Sequence, residues 1–582
     1  MLHHPVKKKI IRRAITVSPQ SFPDLPPLLQ RIYAARKVAT TAELDRSLGQ
    51  LPAPWLLSGI EAMADILVDA VRHQRSVLVI GDYDADGATA SAVAVRGLRA
   101  LGLERVDYLV PNRFEFGYGL SREIVQVAAR RKPDLLLTVD NGIVNFEGVA
   151  AANELGMRVL ITDHHSPGNG VPDAAAIVNP NLPGDGFPSK ALAGVGVMFY
   201  VLMALRQRLR AAGYFDRAGA SEPKLGYLLD LVALGTVADV VNLDHVNRIL
   251  VHQGLARIRS EQAHPGILAL LEVAGRKPRQ ATAMDLGFFA GPRLNAAGRM
   301  DDMSLGIECL LSDRMDDARA RAARLNEFNR DRREVEEQMK QDAFAIIDRL
   351  EESAGSRPAL CLFEEDWHQG VVGLVASRIK DRVHRPVIAF APGGAGGDEL
   401  RGSGRSVPGV HIRDVLADIA ARKPGIFRKF GGHAMAAGLT LARGRLAEFT
   451  RDFEAEVEKR LAGLDLEHAV QTDGALEPCE LELAMAEALQ RAGPWGQGFP
   501  EPLFDGEFEV VGSRIVGERH LKLVLKPPRS DRILDGICFG VYEPGPWLLC
   551  RKLRTAYRLD VNEFRDLRNV QLRIEYMESA DA

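Results

Sequence analysis

Ser76-Val-Leu-Val-Ile-Gly-Asp-Tyr-Asp-Ala-Asp-Gly87 is the stretch on which the reading of this chain turns. A short apolar run, Ser76 to Ile80, leads into three aspartates at alternate positions, Asp82, Asp84 and Asp86. Two later runs end in the same way. Leu135 to Val139 runs into Asp140-Asn141-Gly142, and Val159 to Thr162 runs into Asp163-His164-His165. Short apolar runs separated by helical stretches predict a parallel sheet covered on both faces. Such a sheet releases its functional residues at the carboxyl edge, into one shared crevice. Carboxylates and imidazoles gathered there repel one another and desolvate badly unless cations neutralise them, which is the argument for a divalent-metal site.

Two other readings of the aspartate run fail. As a calcium-binding EF-hand loop it would need a bidentate Glu at its twelfth position, where Val93 stands, and it follows a strand rather than a helix. As a dinucleotide phosphate loop it has acids where close approach to a pyrophosphate requires glycine. A surface turn rich in Asp remains possible for this run alone, as a packing role does for the His-His pair. The company of three strand ends, and of Asp239 closing the apolar stretch Leu231 to Ala238, favours a site. Hard carboxylate oxygens with imidazole and no thiolate favour Mn²⁺ or Mg²⁺. Two ions roughly 3.5–4 Å apart would activate water for in-line attack at phosphorus.

With 582 residues the chain is too long for one core, and three or four domains are expected. The net charge of -3 carries no nucleic-acid signature, although bulk charge says little about a local groove. Five scattered cysteines form no CxxC pair, which argues against a disulfide framework or structural zinc and fits a reducing cytosol. The basic N-terminus lacks the apolar segment of a secretory signal. No apolar run approaches the roughly 20 residues a membrane span needs. A cytoplasmic protein with no membrane association is expected.

Residues 1–75 read as a helical segment, with Ser58 to Val71 amphipathic. From Ser76 to about Val241 strands alternate with helices as in a doubly wound α/β domain, whose limits are expected at 76–302. Residues 303–352, rich in Ala, Arg and Glu and without Pro or Gly after Gly306, predict one long connecting helix. A second α/β lobe follows over 353–462, with strand-like Ala359 to Phe363 and Pro386 to Phe390. Residues 463–582 are β-rich, with runs at Glu507 to Val511, His520 to Leu525, Ile533 to Val541 and Val570 to Ile574. Short strands of this kind suit a small barrel, with an OB-fold as the candidate.

In this order, GDYDADG, VDNG and ITDHH resemble the signature of the DHH phosphoesterase family, and Phe430-Gly-Gly-His-Ala434 resembles its DHHA1 domain. Pro111-Asn-Arg-Phe114 with Gly117-Tyr-Gly119, Gly291 to Arg299, Trp367 to Gly373 and Gly402 to Ser406 resemble the RecJ branch of that family. The resemblance runs from about Gly81 to the C-terminus. It implies two α/β lobes, DHH and DHHA1, joined by a long helix, with a C-terminal OB-fold barrel. It also implies a single-stranded-DNA-specific 5′→3′ exonuclease of recombination and repair. Such an enzyme would thread one strand between its lobes, exclude duplex by shape and release 5′-mononucleotides.

The resemblance implies Asp84, Asp86, Asp140, His164 and Asp239 as direct metal ligands, with Asp140 bridging. Asp82 would bind metal or orient its neighbours, Asp163 would orient the histidines, and His165 would ligate or contact the scissile phosphate. Where the wider family carries an upstream histidine, Ile80 and Gly81 stand here, so one metal would be held more weakly. For the substrate, Arg405 with Ser403 and Ser406 in a glycine-rich loop suits a terminal phosphate. Arg113 and Arg299 are further candidates and Arg293 a weaker one. His433 could stabilise the pentavalent phosphorus or the leaving oxygen. Lys522, Lys526, Arg529, Arg532, Arg551, Lys552 and Arg554 would give the barrel its grip on single-stranded DNA.

By resemblance, single-strand-binding protein and a RecQ-type helicase are expected partners of a monomer. A phosphodiesterase for very short oligonucleotides or cyclic dinucleotides, a pyrophosphatase, and a non-catalytic repair scaffold are the rival readings.

Overall fold

A strand made almost wholly of apolar residues must be covered on both faces, and Val77–Ile80 and Leu135–Val139 are buried throughout. The computed structural model describes residues 8–111, 119–168, 170–218, 221–354, 357–393, 398–462, 469–517, 519–541, 544–564 and 567–581. The chain divides into two units, one of residues 1–294, 303–322 and 467–582, the other of residues 295–302 and 323–466.

Counted from the N-terminus, β1 is Lys9–Arg12, and the first unit's main sheet comprises β2 (Val77–Ile80), β3 (Val106–Leu109), β4 (Leu135–Val139), β5 (Arg158–Thr162) and β6 (Ala176–Val178). All pairings are parallel, in the order β3-β2-β4-β5-β6. Winding starts at β2, moves outward to β3, then returns to the other side of β2 at β4. The sheet's topological switch point therefore lies between β2 and β4, where α/β proteins bind their ligands. Helices Arg122–Ala129 and Phe146–Glu154 cover one face, through Ile124, Val125, Ala128, Val149 and Ala152 against Leu78, Leu136, Val159 and Ile161. Helices Ile60–His73, Ala85–Ala100 and Gly194–Ala211 pack together on the sheet as well.

The second unit carries β7 (Leu360–Phe363), β8 (Val387–Gly393), β9 (Glu399–Arg405), β10 (Phe427–Gly432) and β11 (Ala436–Ala442), ordered β10-β11-β9-β8-β7. Alternate residues of β8 serve two cores. Val387, Ala389 and Ala391 pack with helix Val372–Val383, while Ile388 and Phe390 pack with Phe449 and Phe453. The glycine-rich stretch around Arg405 is a strand, β9, rather than a loop. Cβ atoms at Gly402 and Gly404 would meet Phe390 at 2.5 Å and Ile412 at 2.6 Å, so these glycines make room for core side chains. The long helix is Met315–Ala354, and its 40 residues begin only after a separate helix, Ser304–Leu311. The single helix expected from residue 303 is thus broken at 312–314, where Ser312 leaves helical dihedrals (φ -65, ψ 130).

Residues 9–12 are not helical. β1 pairs in parallel with β12 (Ala469–Thr472), 460 positions later in the sequence, and no local pattern could reveal that partner. Arg36 and Asp473 form a bidentate pair beside it at 2.9 and 3.0 Å, both side chains fully buried. The β-rich C-terminus forms β13 (Phe504–Val516), β14 (His520–Lys526), β15 (Leu534–Cys538), β16 (Lys552–Phe564) and β17 (Leu567–Ser579). They close in the order β13-β14-β15-β17-β16, with β15 and β17 parallel, which is the OB topology. Strand β16 was read at sequence level only as a source of basic residues. Among the described residues no single helix is both long and apolar enough to cross a membrane.

Candidate metal centre

The carboxyl ends of β2, β4 and β5 deliver their acids to the switch point, and two helix termini complete the group. Asp84 caps helix Ala85–Ala100, its Oδ1 accepting from Gly87 N at 3.0 Å. Asp86 sits in the first turn of that helix, fully buried. Its Oδ2 accepts from Gly194 N at 2.6 Å and its Oδ1 from Val195 N at 3.0 Å. A buried carboxylate is thus set on the N-terminus of helix Gly194–Ala211, where the partial positive charge favours it. Asp140, just past β4, takes a left-handed backbone conformation (φ 61) while its N–H bonds Thr162 O at 3.0 Å. That conformation is uncommon outside glycine, and such strain concentrates at functional sites. A Cβ at Gly194 would lie 2.5 Å from Asp140 Cβ and 2.6 Å from its Oδ1, so only glycine lets the helix approach so closely.

Asp163 gathers the histidines. Its Oδ1 accepts from His164 N at 2.7 Å, His165 N at 3.0 Å and His165 Nδ1 at 2.7 Å, and its Oδ2 accepts from Ile143 N at 3.0 Å. Asn181 and Asn179 then hold the carbonyls of His164 and His165, at 2.6 and 2.9 Å. His164 Nε2 points into the acids, 3.1 Å from Asp140 Oδ1, 3.6 Å from Asp239 Oδ2 and 4.0 Å from Asp86 Oδ2. Asp239 caps the C-terminal end of the apolar helix Leu229–Ala238.

Three sets of donor atoms lie within 4.8 Å of one another: Asp140, His164 and His165; Asp86, His164 and Asp239; Asp82, Asp84 and Asp140. Asp140 belongs to two sets, and His164 also belongs to two. Overlapping cages of this kind suit a pair of adjacent cations sharing ligands.

Electrostatics supports the same conclusion. Burial, then the charge of Asp84, pushes the Asp86 carboxyl up to about 7 despite its two backbone donors. Burial, with the charges of Asp86 and Asp84, raises Asp140 and Asp239 well above the usual carboxylate range. Burial alone would lower His165, but the hydrogen bond and charge of Asp163, with Asp239 and Asp82, raise it to about 9. Asp163 is itself held below the usual range, because the bonds and charge of His165 and the Ile143 N–H outweigh its burial. The crowded carboxylates resist ionising together without added positive charge, and hard oxygens with imidazoles fit Mn²⁺ or Mg²⁺.

In the second unit Arg405, the last residue of β9, donates to Ser403 Oγ at 3.2 Å and Gly404 O at 2.8 Å. Arg405 Nη2 and Ser403 Oγ stand 3.0 and 2.8 Å from where Gly373, in the first turn of helix Val372–Val383, would carry a Cβ. Burial lowers the Arg405 pKa, and it has no carboxylate partner among the described residues. A guanidinium, a hydroxyl and the first turn of a helix thus meet, an arrangement whose chemistry suits an anion. Arg299 donates to Gly370 O at 3.2 Å, in the loop leading into that helix.

Ser406 does not join the subsite. Its hydroxyl donates to Val410 O at 2.6 Å, its N–H bonds Met435 O and it is 1% exposed, so no group remains for a ligand. His433 stands exposed between β10 and β11, its N–H bonded to Ala436 O at 2.8 Å. In the first unit Arg293 is buried and caps Phe289 O at 2.7 Å, a structural bond. Arg113 lies outside the described residues.

Several of the basic groups on the barrel are already spent. Lys522, Lys526 and Arg554 pair with Asp535, Asp531 and Glu578, and Arg532 caps Pro478 O and Leu481 O. The side chains of Arg529, Arg551 and Lys552 form no ion pair among the described residues, although the backbone N–H groups of Arg551 and Lys552 donate to the Asp581 carboxylate at 3.0 and 2.9 Å. Sequence reasoning missed Gly194, Asn179 and Asn181. The Asn-Pro-Asn run after β6 was the only local signal for the last two.

Residues 76–236 match the DHH family N-terminal domain, residues 356–459 the DHHA1 domain and residues 472–576 the RecJ OB domain. The chain is 50% identical over 573 residues to the single-stranded-DNA-specific exonuclease RecJ of Salmonella typhimurium, covering 98% of this chain and 99% of that one. It is 51% identical to the Escherichia coli protein of the same name, covering 95% and 96%. The structure of Thermus thermophilus RecJ in complex with Mn²⁺ superposes with a TM-score of 0.79 at 29% identity, covering 97% of this chain and 78% of that one. Its Mg²⁺ complex gives 0.73 at 28%, covering 97% and 76%. A near full-length match at this identity, on a fold whose acids and imidazoles converge at one sheet edge, places the chain in the RecJ family of DHH–DHHA1 proteins.

Proposed function

We propose that this chain is a single-stranded-DNA-specific exonuclease that removes 5′-mononucleotides from the 5′ end, in recombination and repair. The carrying observation is the overlap of the three donor sets through Asp140 and His164. Asp82, Asp84, Asp86, Asp140, His164 and Asp239 would hold two divalent cations, Mn²⁺ or Mg²⁺, with Asp140 between them. Bound there, the cations would neutralise the scissile phosphate and acidify a water for in-line attack. His165, steadied by the bond of its Nδ1 to Asp163, would ligate a cation or contact a phosphate oxygen. Arg405, Ser403 and the N-terminus of helix Val372–Val383 would take the terminal 5′ phosphate, with Arg299 beside them. His433, accessible on its hairpin, would serve the leaving oxygen.

The barrel would hold the strand through Arg529, Arg551 and Lys552, a grip on phosphates that carries no sequence information. Domain limits at 76–302, 353–462 and 463–582, a helical connector over 303–352 and an N-terminal segment over 1–75 fit the two matched lobes and the barrel. A cytoplasmic monomer working with single-strand-binding protein and a RecQ-type helicase completes the reading, and the free cysteines suit that compartment.

Asp140→Ala tests the core of this assignment. It should abolish release of nucleotides from a long 5′-labelled single strand while leaving strand binding in place. Normal digestion by the variant, or wild-type turnover of a dinucleotide alone, would remove the exonuclease reading.

A further inference from the structure

Phe288 is the most exposed aromatic ring among the described residues of the first unit, at 71%, and the turn that carries it packs on the helix that ends at Asp239. It lies in a π-helical turn, Leu286–Ala290, a rare conformation that recurs at functional sites. Val237 Cγ1 is 3.1 Å from where Gly287 would carry a Cβ, and Ala238 Cβ is 3.1 Å from where Gly291 would. Phe288 is therefore held within a turn of the residues that immediately precede an acid of the cluster. The next residue past that acid, Val240, is itself 62% exposed with a left-handed backbone (φ 62), so a second apolar surface borders Asp239.

The turn is rigid. Arg276 lies over the Phe289 ring, 4.6 Å from its centroid, and Arg293 donates to Phe289 O at 2.7 Å. Of two consecutive phenylalanines one is covered by a guanidinium, and the other is held out in solvent. Among the described residues no ring or guanidinium stacks on Phe288. An exposed apolar ring on a pinned turn, packed against the end of the helix that leads to Asp239, has the form of a stacking platform. Every nucleobase has a π-face, so such a platform is indifferent to sequence.

We propose that Phe288 is a positioning residue that stacks on one base of the single strand near the scissile bond, with Val240 extending the apolar surface. The proposal rests on the exonuclease reading above and gives that site a base contact in addition to its phosphate contacts. It makes duplex a poor substrate for a second reason besides shape, because a paired base has both faces already stacked.

The test uses the full chain with Mn²⁺ and single-stranded oligonucleotides carrying one abasic site at each successive position from the 5′ end. Wild-type protein should slow about tenfold when the abasic site reaches the stacking position, the scale of one lost base–aromatic contact. Phe288→Ala should be about tenfold slower on intact strands, mainly through KM, and should show no further loss at that position. Phe288→Trp should restore both the rate and the abasic signature, which a merely structural role would not do. An abasic profile in Phe288→Ala identical to that of wild type would overturn the proposal. Failure of wild-type protein to degrade intact single strands would instead overturn the exonuclease reading on which it rests.

Discussion

Replacing Gly194 by alanine adds one methyl group at the first residue of helix Gly194–Ala211, against the centre of the acid cluster. The new carbon would stand 2.5 Å from Asp140 Cβ, 2.6 Å from Asp140 Oδ1 and 2.8 Å from Asp140 Cα. The shortest of these must open by about 0.9 Å to reach the 3.4 Å of ordinary van der Waals contact. Either Asp140 moves out of the cluster, or the helix recedes and takes the Gly194 and Val195 N–H groups away from Asp86. Both outcomes displace a proposed ligand. Overpacking of this kind costs about 1–3 kcal/mol, which a protein stable by about 5–15 kcal/mol survives folded. A ligand displaced by about 1 Å costs about a hundredfold in rate, and disturbing a ligand's support weakens metal binding about 10- to 100-fold.

The prediction is a folded protein that binds Mn²⁺ about 10- to 100-fold more weakly and digests single-stranded DNA about a hundredfold more slowly. Calorimetric titration with Mn²⁺ and release of nucleotides from a 5′-labelled strand read the two effects. Gly49→Ala is the control, because a Cβ there meets nothing within 4 Å. If Gly194→Ala binds Mn²⁺ and cleaves as the wild type does, the packing of this helix against Asp140 has no bearing on the centre.

Three further outcomes follow from the same geometry. In chelated protein, Asp163→Asn should cost about 2 kcal/mol at pH about 6, less than the full rise of His165 to about 9 would give because a third of that ring is exposed. A raised histidine stabilises the fold below its unfolded pKa of about 6.5, so this part of the loss should fade as pH passes about 9. Urea unfolding at the two pH values measures it. Asp86, raised to about 7, works against the fold as pH climbs from about 4 to about 7, and Asp140 and Asp239 act in the same direction. The gain in Tm on adding Mn²⁺ to chelated protein should therefore be larger at pH about 8.5 than at pH about 6; an equal gain would mean these acids do not receive the metal. Arg405→Ala should slow 5′-phosphorylated strands about 10- to 100-fold, the scale of charge-assisted bonds, and spare 5′-hydroxyl strands. Equal slowing of both would refute the terminal-phosphate assignment.

The three acidic strand ends were legible because a fully buried strand must be apolar along its length, so the first charged residue marks where it emerges. The barrel was legible for the same reason at period two. What hid was whatever depends on residues far apart in sequence. Nothing near Asp86 announces that its carboxylate is bound by the backbone of residues 194 and 195. Strand β1 carries no amphipathic pattern, since its partner supplies backbone bonds and not a core. The glycines around Arg405 imitate a loop because strand glycines and loop glycines look alike until Phe390 and Ile412 are placed beside them. The break at residues 312–314 lacks both Gly and Pro, the residues that usually advertise a helix end.

The pairing of β1 with β12, locked by Arg36 and Asp473, has a consequence for synthesis on the ribosome. One strand of the pair is made 460 residues before the other, about 20–90 s earlier at ordinary elongation rates. Throughout that interval the N–H and C=O groups of residues 9–12 would lack the partners β12 gives them and could pair with a neighbouring chain. Lys8, Lys9, Arg12 and Arg13 give that segment like charge, so two nascent copies on one polysome would repel each other until the C-terminal segment arrives.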